Sequence, residues 1–234
     1  MKLQKLYSYV RRAMDDYSMV DDGDKIAVGV SGGKDSLALL YALSGLRKFY
    51  PKKFDIVALT VNLGFENQDF NLIKDFCKNL DVECKIIDTE IGDIVFHKRK
   101  ESNPCSLCAK MRKGSLNDVA KKMGCNKVAY AHHRDDMIET MLMSLIYEGR
   151  FHCFNPFTYL DRMGLNVIRP MMYVSEMDVI GFANKYNLPV AKNPCPVDGH
   201  TKREYIKTLV RQLNRENPNC KDRLFTAVLN GGFD

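Results

Sequence analysis

Ile26-Ala27-Val28-Gly29-Val30 runs apolar into Ser31-Gly32-Gly33-Lys34-Asp35-Ser36, and Leu37, Leu39, Leu40 and Leu43 follow at helical spacing. A short unbroken apolar run marks a strand buried on both faces of a parallel sheet. The stretch therefore reads as strand, glycine turn, helix. The two glycines permit backbone conformations that strain other residues. Successive amide N–H groups at such a turn, backed by the partial positive charge of the helix start, form an anion nest. Lys34 adds a mobile cation, and Ser31 and Ser36 add hydroxyl donors. An ionised Asp35 only accepts, so its role is to orient the loop or to reach Mg²⁺ through water. The spacing is neither that of the G-x-x-x-x-G-K-[ST] loop of NTP hydrolases and kinases nor that of the G-x-G-x-x-G dinucleotide turn.

Working outward, Leu3, Leu6, Tyr7, Val10, Met14 and Tyr17 recur at helical spacing ahead of this strand, and Asp21-Asp22-Gly23-Asp24 separates the two. Beyond it, Phe54 to Val61, Cys84 to Ile87 and Lys127 to Ala131 read as strands. Phe70 to Leu80, Ser106 to Met123 and Asp135 to Tyr147 read as helices. Short buried strands alternating with helices predict a doubly wound, mainly parallel α/β sheet. After about Gly149 the pattern loosens. Ser175 to Tyr186 and Lys202 to Leu213 read as helices joined by a loop from Asn187 to His200. The expected organisation is one domain over 1–234. It has an N-terminal helix in 1–22, a nucleotide-binding core over 23–170, and a helical C-terminal extension over 171–234 that carries Cys195. Open α/β sheets bind ligands at the carboxyl ends of their strands, which puts Leu59, Thr60 and Val61 beside an adenine.

Hydrophobic residues make up 45% and charged residues 27% of the 234, enough apolar content to bury a full core. No apolar run reaches the roughly 18 residues of a membrane helix. Met1 to Leu6 lacks an apolar signal core, so a cytoplasmic setting with no membrane partner is expected. There, eight cysteines point to metal, cluster or redox chemistry, or to burial, rather than to disulfides. The net charge is +6, and His97 to Lys122 alone holds eight Lys/Arg against Glu101 and Asp118. A second basic stretch runs from Lys202 to Arg223. Scattered basic residues usually form a solvated surface; concentrated around a cysteine motif they favour a polyanionic partner.

Asn103-Pro104-Cys105-Ser106-Leu107-Cys108 sets two thiols at C-x-x-C spacing at a helix start, and Asn193-Pro194-Cys195-Pro196 echoes it far along the chain. Two such loops would bring three thiolates to one metal centre, leaving one iron of a [4Fe–4S] cluster open to an exogenous sulfur. The same pair also suits a redox dithiol, or half of a zinc site completed by His200 or Cys220. Cys77, Cys84, Cys125 and Cys153 lie in or beside apolar runs and read as packing residues.

Ser31 to Ser36 resembles the SGGxDS signature of PP-loop enzymes, which cleave ATP to AMP and pyrophosphate while adenylating an oxygen of their substrate. Within that superfamily several motifs occur here in the order of the TtcA-type tRNA thiolases: the phosphate loop, Cys105-x-x-Cys108, Ala131-His132-His133-Arg134-Asp135-Asp136, Arg169-Pro170 and the late Cys195. The resemblance implies an adenine nucleotide alpha hydrolase-like fold. It implies ATP held by Val30, Ser31, Gly32, Gly33, Lys34, Asp35, Ser36, Leu59, Val61 and His133. It also implies a [4Fe–4S] cluster on Cys105, Cys108 and Cys195, tRNA as substrate, and a homodimer. One departure is local: such thiolases often carry Pro-Cys-x-x-Cys in the late loop, where this chain has Pro196-Val197-Asp198 after Cys195. The zinc-finger cysteine pairs of the thymidine thiolases are absent.

The chemistry expected is attack of a cytidine C2 oxygen on the α-phosphorus of ATP. Replacement of AMP by sulfur from sulfide or a cysteine desulfurase follows. Developing phosphate charge calls for Mg²⁺ and cations, for which Lys34 and Arg112 are the candidates. Asp135 and Asp136, at a helix start, suit Mg²⁺ or a proton, and Asp135 equally suits an N-cap. One of His132 and His133 would touch nucleotide, a hydrogen-bonded structural histidine being an equal reading, and Tyr, Phe and Arg side chains near Phe151 to Phe157 would stack on the splayed base, although such an aromatic run is more often core. Three other readings stay open: a lysidine-synthetase-like enzyme using an amine, a thiolase of another nucleoside or small molecule, and a non-catalytic iron–sulfur sensor.

Overall fold

The computed structural model describes residues 1–65, 68–99, 104–191, 195 and 202–231. Helix α1 (Leu3–Asp16) buries Leu6, Val10, Ala13 and Met14, one stripe of a 3.6-residue repeat. Strands β1 (Asp24–Gly29), β2 (Phe54–Asn62), β3 (Glu83–Asp88) and β4 (Lys127–Ala129) alternate with helices α2 (Lys34–Leu46), α3 (Asn71–Asn79) and α5 (Pro104–Lys122). Between β3 and α5 lies α4 (Ile91–Asp93), which runs into a π-helical turn, Ile94–Lys98. Then come α6 (Arg134–Glu148), β5 (Phe157–Leu160), β6 (Leu165–Ile168), α7 (Glu176–Lys185), α8 (Lys202–Glu216) and α9 (Cys220–Asn230).

The six strands take the order β3-β2-β1-β4-β6-β5. All neighbours are parallel except β5, which pairs antiparallel with β6 at the edge. The doubly wound, mainly parallel sheet expected from the strand–helix alternation is present. Chain order reverses direction between β1 and β4, so the loops after these two strands splay apart and leave a crevice at the carboxyl edge. Ile26, Ala27 and Val28 in β1 are fully buried, as a central strand covered on both faces requires.

Three local readings are corrected. β4 stops at Ala129 rather than Ala131: Tyr130 N–H still donates to Ile168 O at 3.0 Å, after which the chain leaves the sheet, carries Ala131 and His132 into the crevice and sets His133 at the start of the next helix. The β5–β6 hairpin falls where no strand was expected. Each arm is only four residues long, too short for an alternation to stand out, and the turn closes on Gly164 at φ 62°. Helix α9 was also unanticipated, though it buries Phe225 and Val228. In the C-terminal part, α7 packs on α2 while α8 and α9 pack on α6.

Candidate active site

Crevice walls come from β1, β2, the segment after β4 and α5 and enclose a cavity of about 440 Å³. The phosphate loop forms its floor. Gly32 sits at φ +82°, and a Cβ there would lie 3.1 Å from the Ala191 Cβ. Its carbonyl accepts the Ala191 N–H at 2.9 Å, so the segment leading to Cys195 is tied to the loop. Gly33 is different: its backbone is extended, and a Cβ would meet only Ser31 Oγ, at 3.5 Å. Ser36, expected as a phosphate donor, is buried and braces the loop. Its hydroxyl donates to Gly33 O at 2.9 Å and accepts from Ser31 N at 3.1 Å. The two serine Oγ atoms lie 3.3 Å apart. Val30, Ser31, Gly33, Asp35 and Ser36 all line the cavity, as do Leu59 and Val61 at the end of β2.

Lys34 is not free to roam. Its Nζ donates to both Asp35 carboxylate oxygens (3.1 and 3.0 Å) and lies 3.4 Å from Glu176 Oε1. Burial alone would lower its pKa, but the two carboxylates outweigh burial and raise it. Glu176, which had no signal in the sequence, also accepts from Lys207 Nζ at 2.6 Å. Its own carboxyl is held below the usual range because Lys207 and Lys34 outweigh burial.

The two aspartates at the start of α6 part company. The N-cap is His133, not Asp135. Asp136 N–H donates to His133 Nδ1 at 3.2 Å, and His133 N–H donates to Asp136 Oδ2 at 2.9 Å, a reciprocal capping box. With Nδ1 accepting, Nε2 carries the proton and sits 3.7 Å from Asp35 Oδ1. Asp136 lines the cavity. Asp135 does not: it is buried, accepting from Glu176 N–H at 2.8 Å and from Lys221 Nζ at 2.7 Å. Those two bonds overcome burial and lower its pKa. It joins α6 to α7 and α9, which makes it a brace rather than the catalytic acid or Mg²⁺ ligand envisaged.

His132 faces the cavity and stacks on Phe154, with ring centroids 4.5 Å apart. Phe154, from the 151–157 aromatic run, thus packs against a cavity-lining residue without lining the cavity itself. Burial, then Arg169, Lys113 and Arg203, drive the His132 pKa well below 6.5, so the ring is neutral. Lys113, unnoticed in the sequence beyond its charge, lines the cavity beside Arg112 and Tyr130. Loss of hydration and then the neighbouring Arg169, Arg112 and Arg203 lower its pKa. Tyr130 donates to Asn117 Oδ1 at 3.1 Å, and burial pushes its phenol up to about 12. Arg203, from the second basic stretch, reaches Asp136 and Glu139 at 3.4 Å each. Glu139 is buried, which together with Asp136 pushes its carboxyl up to about 7. The α5 and β4 side of the cavity is therefore cationic, and Arg112 makes no ion pair among the described residues.

Cys105 and Cys108 lie on the first turn of α5, Cys105 exposed and Cys108 half-buried. Burial raises the Cys108 thiol; Arg112 opposes this, while Cys195 and Cys105 raise it further. Cys105 and Cys195 thus both act on Cys108, and the guanidinium that acts on Cys108 also lines the nucleotide cavity. This donor set suits a soft, positively charged iron centre, which would offset both the burial and the mutual repulsion of three thiolates. Among the described residues no group of three or more His, Cys, Asp and Glu is closed to metal-ligand geometry. Cys220 joins no such group, and His200, Asn103, Pro194 and Pro196 lie outside the described residues. Cys77, Cys125 and Cys153 are buried as expected of packing residues. Cys84 is half-buried, and with burial it raises the Cys77 thiol.

The PP-loop domain profile matches residues 3–213. A tRNA-cytidine(32) 2-sulfurtransferase from Geobacter sulfurreducens is 37% identical over 233 residues, 98% of this chain and 91% of the relative. The protein of that name from Geobacter metallireducens is 38% identical over 232 residues, 98% and 90% respectively. Among solved structures, the U34-tRNA thiolase NcsA from Methanococcus maripaludis, with its [4Fe-4S] cluster, superposes at a TM-score of 0.79. It shares 25% identity, over 97% of this chain and 77% of that one. No helix among the described residues is long and apolar enough to cross a membrane. The motif order, the crevice geometry and near full-length identity agree: the chain belongs to the PP-loop family, among the tRNA-cytidine(32) 2-sulfurtransferases.

Proposed function

We propose that this chain thiolates cytidine in tRNA at position 32, the nucleoside its relatives' names carry, using ATP. The observation that carries the proposal is Arg112, which lines the phosphate-loop cavity and also acts on the Cys108 thiol. One cation thus adjoins both the adenylation site and the sulfur site. We take residues 1–234 as one working unit, because α7 packs on α2 and α8 and α9 pack on α6.

In the reaction, the C2 oxygen of cytidine attacks the α-phosphorus of ATP and pyrophosphate leaves. Sulfur from a donor then attacks C2 and AMP leaves with the original oxygen. The loop amides and Arg112 would receive the developing phosphate charge in a site shielded from water. Asp35 and Asp136, the two carboxylates on the wall, are the candidates for Mg²⁺, and Lys34 would exchange Glu176 for phosphate oxygens. Cys105, Cys108 and Cys195 would hold a [4Fe–4S] cluster, which supplies an open iron able to bind the incoming sulfur. The cationic wall of Arg112 and Lys113 suits the RNA backbone, with the target base stacked towards His132. A cytoplasmic setting, a sulfide or desulfurase donor and a homodimer complete the proposal.

Iron and acid-labile sulfide per chain, after anaerobic reconstitution, test the sulfur site in the wild type and in Cys105→Ala, Cys108→Ala and Cys195→Ala. About four of each per chain in the wild type, lost in all three variants, is the expected result. Zinc alone in the wild type would refute the cluster and favour the amine-using alternative.

A further inference from the structure

The ammonium of Lys34 in the phosphate loop is held outside the cavity walls: its Nζ lies 3.1 and 3.0 Å from the Asp35 carboxylate oxygens and 3.4 Å from Glu176 Oε1. That same Glu176 oxygen accepts from Lys207 Nζ at 2.6 Å. One carboxylate oxygen thus faces two ammonium groups, and the shorter, stronger contact is to Lys207. The Glu176 side chain is 12% exposed and those of Lys34 and Lys207 are 27% and 23%, so water screens these pairs less than it screens surface pairs. The backbone around them is fixed by other bonds. Glu176 N–H donates to Asp135 Oδ2 at 2.8 Å, and Ser175 Oγ caps α7 by accepting from Asp178 N–H at 3.1 Å. On α8, Arg203 lies one turn before Lys207 and reaches Asp136 and Glu139 of α6. Changing one of the three charges therefore alters how the carboxylate is shared while the helices stay docked.

Resting on the reading that the loop takes the phosphates of ATP, we propose that Lys207 is a positioning residue for Lys34, acting through Glu176. Lys207 occupies the Glu176 carboxylate, so Lys34 is held there only at long range and is able to turn to a phosphate oxygen. Without Lys207, Lys34 is the remaining ion-pair partner of Glu176 among the described residues, and the tightened pair competes with phosphate. Removing the carboxylate has the opposite sign, since Lys34 then has one competitor fewer. Lys207 does not itself line the cavity. The alternative is that Lys207 only adds positive field near the loop, and that effect would not depend on Glu176.

The test is a double-mutant cycle read by calorimetric titration of the full chain with inorganic pyrophosphate and Mg²⁺, with thermal unfolding confirming that each variant folds. Lys207→Met should weaken pyrophosphate binding about three- to tenfold. Lys207→Arg, which keeps a cation beside Glu176, should bind within about twofold of wild type. Glu176→Gln should bind at least as tightly as wild type. Adding Lys207→Met to Glu176→Gln should then cost less than about twofold, because the carboxylate through which Lys207 acts is gone. An equal loss from Lys207→Met in both backgrounds, no loss in either, or weaker binding by Glu176→Gln alone overturns the inference and leaves ATP binding standing. A wild type that binds neither pyrophosphate nor ATP overturns the ATP reading itself.

Discussion

Gly32→Ala and Gly33→Ala should separate the structural glycine of the phosphate loop from the functional one. Gly32 lies at φ +82°, where a residue with a Cβ pays roughly 1–2 kcal/mol. The new Cβ would also stand 3.1 Å from the Ala191 Cβ and 3.4 Å from Ile73 Cδ1. The Ala191 segment would therefore have to give by some tenths of an ångström against its 2.9 Å hydrogen bond to Gly32 O. About 2 kcal/mol in total, at some 2–4 °C per kcal/mol for a chain of this length, lowers Tm by roughly 4–8 °C. Gly33 has φ −76° and a nearest neighbour at 3.5 Å, so its alanine variant should cost under about 1 kcal/mol. Its methyl group would stand in the cavity and weaken pyrophosphate binding. Scanning calorimetry of the two variants, with pyrophosphate titration, reads both effects. A Gly32→Ala variant as stable as wild type, or a Gly33→Ala variant destabilised equally, would refute the reasoning.

Asp135→Asn should destabilise the fold by about 1.5–3 kcal/mol at neutral pH, the value of hydrogen bonds to a buried charge. Because the folded pKa is depressed below 3.8, that stabilisation is present above pH 4 and lost as pH falls through the folded value. Urea unfolding should therefore show wild type and variant converging in acid. Glu139 runs the other way: with its carboxyl pushed up from 4.5 to about 7, ionisation weakens the fold progressively between those two values. Glu139→Gln should accordingly gain relative stability between pH 5 and pH 8, and a difference independent of pH would contradict the assignment. Arg112→Ala should weaken ATP binding about tenfold without lowering Tm, since its side chain is exposed and makes no ion pair among the described residues.

Much of the fold was legible because buried parallel strands and amphipathic helices leave long apolar signals, as in Ile26 to Val30 and in the Leu6, Val10, Met14 stripe. The β5–β6 hairpin left none, since its arms are four residues each and Tyr159 points outward, 56% exposed. Within the site, the residues of the phosphate loop were legible from motif spacing, but their individual duties were not. Ser36 and Ser31 are equivalent in sequence, yet only geometry turns the Ser36 proton inward to Gly33 O. Asp135 and Asp136 are adjacent, and a helix turns adjacent side chains about 100° apart, so one faces the cavity and the other α7 and α9. The roles of Lys113, Tyr130 and Glu176 in the site carried no local signal, because each depends on contacts between segments distant in the chain.

The most direct test of the central claim is nucleoside analysis of tRNA lacking 2-thiocytidine, incubated anaerobically with the reconstituted protein, ATP, Mg²⁺ and sulfide. The account predicts 2-thiocytidine at position 32, with one AMP and one pyrophosphate released per sulfur incorporated, and neither without ATP. AMP release with no thionucleoside, or a modified cytidine carrying nitrogen in place of sulfur, would contradict it.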